Sequence, residues 1–177
     1  MALKILGDKP EYLETEIEMQ QYLDSIFLRG SHPESFVNVD FQVVQDTSVD
    51  RVAHHALSVP DNVLSIGIDH STEYGGILWY CDGGLVDRVT KSAGADVATN
   101  AWVSLNENPP ETDPRILADP SCPSFFDRVS ALPLITVRST IEEYFCEGNG
   151  FRPKLIQWAK GHFTGELYTE AEGAEQH

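Results

Sequence analysis

Basic residues are scarce in this sequence. Twelve lysines and arginines face 28 aspartates and glutamates, which leaves a formal charge of −16 at pH 7 and an isoelectric point near 4.5. The imbalance runs along the whole chain, with five bases against fifteen acids in residues 1–88 and seven against thirteen in 89–177. A field of this sign repels nucleic acid and anionic lipid and draws basic macromolecules inward. Direct binding to nucleic acid or to a membrane surface is therefore not expected. Long apolar runs are missing too. No stretch approaches the roughly 20 residues of a membrane-spanning helix, and Met1-Ala-Leu-Lys leads into no signal-peptide core. A cytoplasmic protein is the expectation.

Cysteine is sparse. Cys81, Cys122 and Cys146 form no C-x-x-C pair, which excludes zinc-ribbon and dithiol redox chemistry. Cys122 lies in a Pro-rich stretch without the flanking signature of a nucleophile. None of His32, His54, His55, His70, His162 and His177 falls in H-E-x-x-H or in the zinc-deaminase pattern. Phosphate loops and dinucleotide fingerprints are absent. No metal and no cofactor is expected, and no catalytic residue can be assigned. One local cluster remains: Asp69, His70 and Glu73 on a short polar connection. It reads either as a carboxylate–imidazole pair of a small hydrolase or as a solvated turn.

What the chain does have is enough apolar material for one core. Hydrophobic residues make up 41% and aromatics 10% of 177 residues, a length at which roughly 70% of the unfolded surface is buried on folding. One α+β domain over residues 1–165 is expected, followed by an acidic tail over 166–177 that frays. Thr15-Glu-Ile-Glu18 is a capping box, and Met19, Leu23, Ile26 and Phe27 share one face of the helix it opens, with Gly30 as its stop. Alternation from Phe36 to Val43 predicts a half-buried strand. Residues 46–57 are ambiguous, with a short strand conceivable from Val52 to Leu57. Strands are expected at 62–69, 77–81, 85–89 and 101–105, with turns at Tyr74-Gly75-Gly76 and Asp82-Gly83-Gly84. Such close spacing favours an antiparallel, meander-like sheet of about 5–6 strands flanked by two main helices. Residues 106–133 carry six prolines and read as one long irregular loop. Val137, Ile141, Tyr144 and Phe145 form the apolar face of a second helix, stopped by Gly148, and a last strand is expected from Arg152 to Trp158, with Trp158 in the core.

The block LITVRSTIEEYFCEGNGFRPKLIQW resembles the C-terminal part of the Imm1 family of bacterial immunity proteins. The matching positions are Tyr144, Phe145, Gly150, Arg152, Pro153, Ile156 and Trp158. Upstream, Gly75 and Gly76 before Leu78, Trp79 and Tyr80 are similar to the family's central hairpin. The resemblance covers roughly residues 60–160, and the Pro-rich segment is longer than in compact members. It implies a small α+β protein of a polymorphic toxin system that binds and neutralises a cognate toxin, often a nucleic-acid deaminase, and it implies no catalytic residue. A protein of that kind competes for a basic, phosphate-binding cleft, where carboxylates can stand in for phosphates. The partner-binding candidates are acidic residues on loops: Asp69 and Glu73, Asp82 and Asp87, and Glu111 and Asp113. The alternatives are the small hydrolase at Asp69/His70/Glu73 and a generic acidic adaptor module.

Overall fold

A computed structural model describes residues 1–7, 9–28, 36–48 and 60–169. The elements run β1 (Ala2–Ile5), β2 (Glu11–Leu13), α1 (Glu16–Phe27), β3 (Phe36–Val44), β4 (Asn62–Asp69), β5 (Tyr74–Cys81), α2 (Gly83–Ala93), α3 (Ala95–Thr99) and β6 (Ala101–Leu105). After them come β7 (Leu117–Asp119), β8 (Ser124–Phe125), a 3-10 turn at Arg128–Ser130, β9 (Leu132–Pro133), α4 (Leu134–Glu147) and β10 (Gln157–Gly161). The expected α+β class holds, with an antiparallel sheet packed against helices. The sheet is larger than the sequence indicates. Among the described residues seven strands lie in the order β10-β6-β5-β4-β3-β1-β2, an eighth, β9, pairs with β5, and β7 and β8 make a separate ribbon.

Alternation sorts the sheet into two faces. Phe41, Leu64, Ile66, Ile77 and Trp79 point to the helices, where Met19, Leu23 and Ile26 of α1 and Val137, Ile141, Tyr144 and Phe145 of α4 complete the main core. Leu78, Val103, Ile116 and Phe126 form a smaller cluster on the opposite, outer face. The capping box of α1 is present. Thr15 Oγ1 accepts from the Glu18 N–H at 3.2 Å, and the Glu18 carboxylate accepts from the Thr15 N–H at 3.0 Å. The helix ends at Leu28, and Gly30 lies outside the described residues, as does the candidate strand from Val52 to Leu57. Gly148 stops α4 in the left-handed conformation, φ 56°.

Several expectations are corrected. Residues 85–89 are not a strand, and Asp82-Gly83-Gly84 is not a hairpin turn. Asp82 is the N-cap of α2, its carboxylate accepting from the Gly83 N–H at 2.6 Å, and Leu85 and Val89 are buried one turn apart. An aspartate before two apolar residues spaced by four is a helix start, and the two glycines masked it. Tyr74-Gly75-Gly76 belongs to β5, the turn being His70 to Glu73. The segment 106–133 is not irregular throughout, since it holds β7, β8, the 3-10 turn and β9. The last strand starts later than expected, at Gln157, and leaves Leu155 exposed.

Two features hold these layers in register. The last backbone pair of β3 with β4 is Phe41 with Leu64. Beyond it the buried Asn62 side chain replaces the ladder, accepting from the Val43 N–H at 2.8 Å and donating to the Val43 carbonyl at 3.1 Å. The Tyr144 hydroxyl of α4 donates to the same Asn62 oxygen. On the outer face Gly67 and Gly76 are cross-strand partners. A Cβ on Gly76 would come within 2.4 Å of the Phe126 ring, and one on Gly67 within 2.3 Å of the Leu117 carbonyl oxygen. The bare backbone is the seat of the β7–β8 ribbon.

Asn62→Ala strands the Tyr144 hydroxyl and both Val43 backbone groups, at about 1–3 kcal/mol for each buried group left unsatisfied. Calorimetry should show a melting temperature lower by roughly 10 °C for a chain of this size, and an unchanged one would remove Asn62 from this role. Gly76→Ala should act locally by displacing Phe126. Hydrogen exchange should rise across 106–133 while the β4–β5 amides keep their protection, whereas equal loss in both places would contradict the docking account.

Candidate functional site

The acidic residues singled out in the sequence do not converge. Asp69 is 2% exposed. Its carboxylate accepts from the Ser71 N–H at 2.8 Å, the Ser71 hydroxyl at 2.7 Å and the Thr72 hydroxyl at 3.1 Å, and its carbonyl accepts from the Glu73 N–H at 3.0 Å. This is the hydrogen bonding of a tight turn, closed by Glu73 at φ 65°. His70 is buried beside it, and Glu73 is exposed. Asp82 caps α2 and Asp87 stands on its exposed side. Glu111 and Asp113 are exposed, with Asp113 accepting from the Arg115 N–H at 2.8 Å. Among the described residues no group of three or more His, Cys, Asp or Glu side chains could hold a metal ion.

The residues of the C-terminal block do converge. Gly75 lets α4 approach the sheet, since a Cβ there would lie 3.1 Å from Val137 and 2.7 Å from the Gly67 carbonyl oxygen. Trp79 is fully buried and donates from Nε1 to the Gly150 carbonyl at 3.1 Å. Tyr144 and Phe145 are core residues, and burial raises the Tyr144 hydroxyl well above its ordinary pKa. Trp158 is half-buried rather than a full core residue; its Nε1 donates to the carbonyl of the buried Pro153 at 2.8 Å. The Arg152 guanidinium lies 4.0 Å from the centre of the Trp102 ring and 6.0 Å from that of Trp158. Its Nη1 is buried with no hydrogen-bond partner among the described residues, and burial lowers its pKa against the opposing charge of Asp96. Tyr144, Arg152, Pro153 and Trp158 border a concavity of about 600 Å³ between α2 and the end of α4. Within it the Glu143 carboxylate accepts from the backbone N–H groups of Lys154 and Leu155, both at 2.9 Å. The motif builds a scaffold: it fastens the chain leaving α4 to the edge of the sheet.

A second concavity, about 530 Å³, opens on the outer face next to the ribbon. Asp40 and Ser65 are cross-strand neighbours on its floor. Tyr80 and Phe163 form a wall, their rings edge to face at 5.1 Å. Asp119, from the ribbon, faces Asp40. The Asp40 side chain reaches solvent, yet the trough desolvates its carboxylate and raises its pKa; the charge of Asp119 adds to this, and a hydrogen bond from Ser65 opposes it. Desolvation raises Tyr80 as well, helped by the charges of Asp40 and Asp82. Asp119 is lowered, chiefly by the hydroxyl and N–H of Ser121. Sequence reasoning missed this site. Alternation places Asp40 opposite Val39 and Phe41, which marks a polar residue on the outer face, but no spacing links residues 40, 80, 119 and 163.

The block that looked distinctive in the sequence thus serves to pack helix and strand in an antiparallel sheet backed by helices on one face. The chain belongs to the Imm1 family: the family model described as immunity protein Imm1 matches residues 7–160. It is thereby an immunity protein, a class whose members bind a cognate toxin. No curated protein and no solved structure matches the chain.

The shift of Asp40 has a sign that can be measured. A carboxyl group whose pKa is higher in the folded than in the unfolded chain contributes stability at pH values below its unfolded pKa. That contribution is lost as the pH rises through the folded value. Asp40→Asn should therefore raise the melting temperature at pH 7 while leaving it nearly unchanged at pH 3.5. A variant less stable than the parent at pH 7 would show that Asp40 is held by a favourable partner instead.

Proposed function

We propose that this immunity protein acts in the cytoplasm and neutralises a nucleic-acid-targeting toxin, a deaminase being the leading candidate, by one-to-one occlusion of its substrate cleft. Membership of the Imm1 family over residues 7–160 carries the reading, and the charge of −16 supports its electrostatic form. A cleft that binds a phosphate backbone is lined by Arg and Lys, and carboxylates pair with those groups in place of phosphate. Opposite net charges also steer the encounter, raising association toward 10⁸–10⁹ M⁻¹s⁻¹ at low salt, on the order of a hundredfold or more over neutral pairs. Rapid capture suits a lethal target. The hydrolase reading loses support from the turn at Asp69, because that carboxylate is already engaged by Ser71 and Thr72. The acidic residues Glu73, Glu111 and Asp113 on loops, and Asp82 and Asp87 at the start of α2, are candidates for the rim of the interface, where charges act mainly on association rate and salt dependence.

Titration of the cognate toxin should show its activity falling linearly to zero at one equivalent, with or without EDTA. Nanomolar affinity, about −12 kcal/mol, is enough for that sharp end point and lies within reach of an interface of roughly 1,600 Å². Complete inactivation at a small fraction of an equivalent would mean chemical modification of the toxin, and an enzyme would replace the occluder.

A further inference from the structure

The outer face of the sheet is only partly covered. The ribbon seats on Gly67 and Gly76, and the neighbouring row of side chains, Asp40 and Ser65, stays open beside it. Two carboxylates border this trough, and among the described residues no Lys or Arg pairs with either. Asp119 is fixed by its own turn. Its Oδ1 accepts from the Ser121 N–H at 2.8 Å, the Ser121 hydroxyl at 2.6 Å and the Cys122 N–H at 3.3 Å, while Oδ2 has no hydrogen-bond donor among the described residues. Across the trough Phe163 is 66% exposed, an apolar ring at the rim with Tyr80 behind it.

Unneutralised carboxylates set against aromatic rings select a particular cation. A lysine ammonium is compact and strongly hydrated, and it gains little from a partly desolvated aromatic wall. A guanidinium is planar and weakly hydrated, stacks on rings, and presents a fork of donors to carboxylates. The volume exceeds that of one side chain, so the tip of a loop enters with it. We propose that this trough is the docking point for an arginine-bearing loop of the partner toxin, with Asp40 and Asp119 binding the guanidinium and Tyr80 and Phe163 flanking it. The proposal rests on the immunity reading and adds to it the face of the protein and the chemistry of the partner's anchor. Desolvation is the main cause of the raised Asp40 and Tyr80 pKa values, and the smaller share due to neighbouring negative charge is what a bound cation relieves.

Surface plasmon resonance with the cognate toxin tests the assignment on the full chain. Asp40→Asn/Asp119→Asn keeps the shape of both residues and should weaken binding by about thirtyfold or more, mainly through faster dissociation, as expected for a desolvated charge pair. Glu16→Gln/Glu147→Gln removes the same charge from the helical side and should change affinity by no more than about threefold. Equal effects of the two pairs would overturn the trough and leave the immunity reading standing. No binding by the parent protein would overturn both. Should the first variant unfold, L-argininamide and L-lysinamide at equal ionic strength compete on the parent protein instead. Stronger displacement of toxin by argininamide, with amide shifts at Asp40, Ser65 and Tyr80, supports the assignment, and equal displacement overturns it.

Discussion

Where β3 outruns its backbone pairing with β4, one buried amide takes over. Asn62 answers both the N–H and the carbonyl of Val43, so a side chain does the work of a strand for one residue pair. Tyr144 reaches the same oxygen from α4, and a Cβ on Gly150 would come within 2.9 Å of the Asn62 side chain. Trp79 in turn donates to the Gly150 carbonyl. Strand, helix and the loop that leaves the helix, coded far apart, are thus aligned by a single polar group. Buried polar contacts of this kind specify position more than they add stability, because every misaligned packing leaves a donor or acceptor unanswered.

The outer face depends on a second constraint, the missing side chains at Gly67 and Gly76. Removing two Cβ atoms from adjacent strands lets Phe126 lie against the backbone, and Phe126 carries the ribbon with it. The same ribbon is held from the strand side by Asn38, which donates to the Leu117 carbonyl at 2.8 Å. Ser104 joins the pieces further along β5, accepting from the Ile77 N–H at 3.1 Å and donating to the Ser130 carbonyl at 2.7 Å. A proline-rich segment of high sequence separation thereby becomes a fixed wall, and the concavity beside it exists only because that wall stands there.

Signals confined to a few neighbouring residues were legible in the sequence. The capping box at Thr15 and Glu18, the apolar face of α4 and the alternation through β3 each state their structure within a turn or two of chain. Asp82-Gly83-Gly84 misled because the same residues open a helix or close a hairpin, and only burial of both Leu85 and Val89 on one side decides between them. Gly75 and Gly76 resembled a turn because their reason for being glycine lies across space, at Val137 and Phe126. Strands β1 and β2, four and three residues long, offer too little periodicity to read. The trough was invisible for a related reason. Its residues come from three strands of the sheet, the ribbon and the segment after β10, and no local spacing links them.

The strand order sets a schedule as well as a shape. Residue 40 lies in the first quarter of the sequence, yet the wall opposite it waits for residue 119 and the rim for residue 163. Between them β5 must accept β6 and β9 along one edge, and β10 must pair with β6. Contacts so distant in sequence form slowly compared with local ones. A nascent copy therefore presents a helix and a few strands long before it presents a complete outer face. The outer face is thus the last part of the molecule to be completed, because its rim follows the final strand.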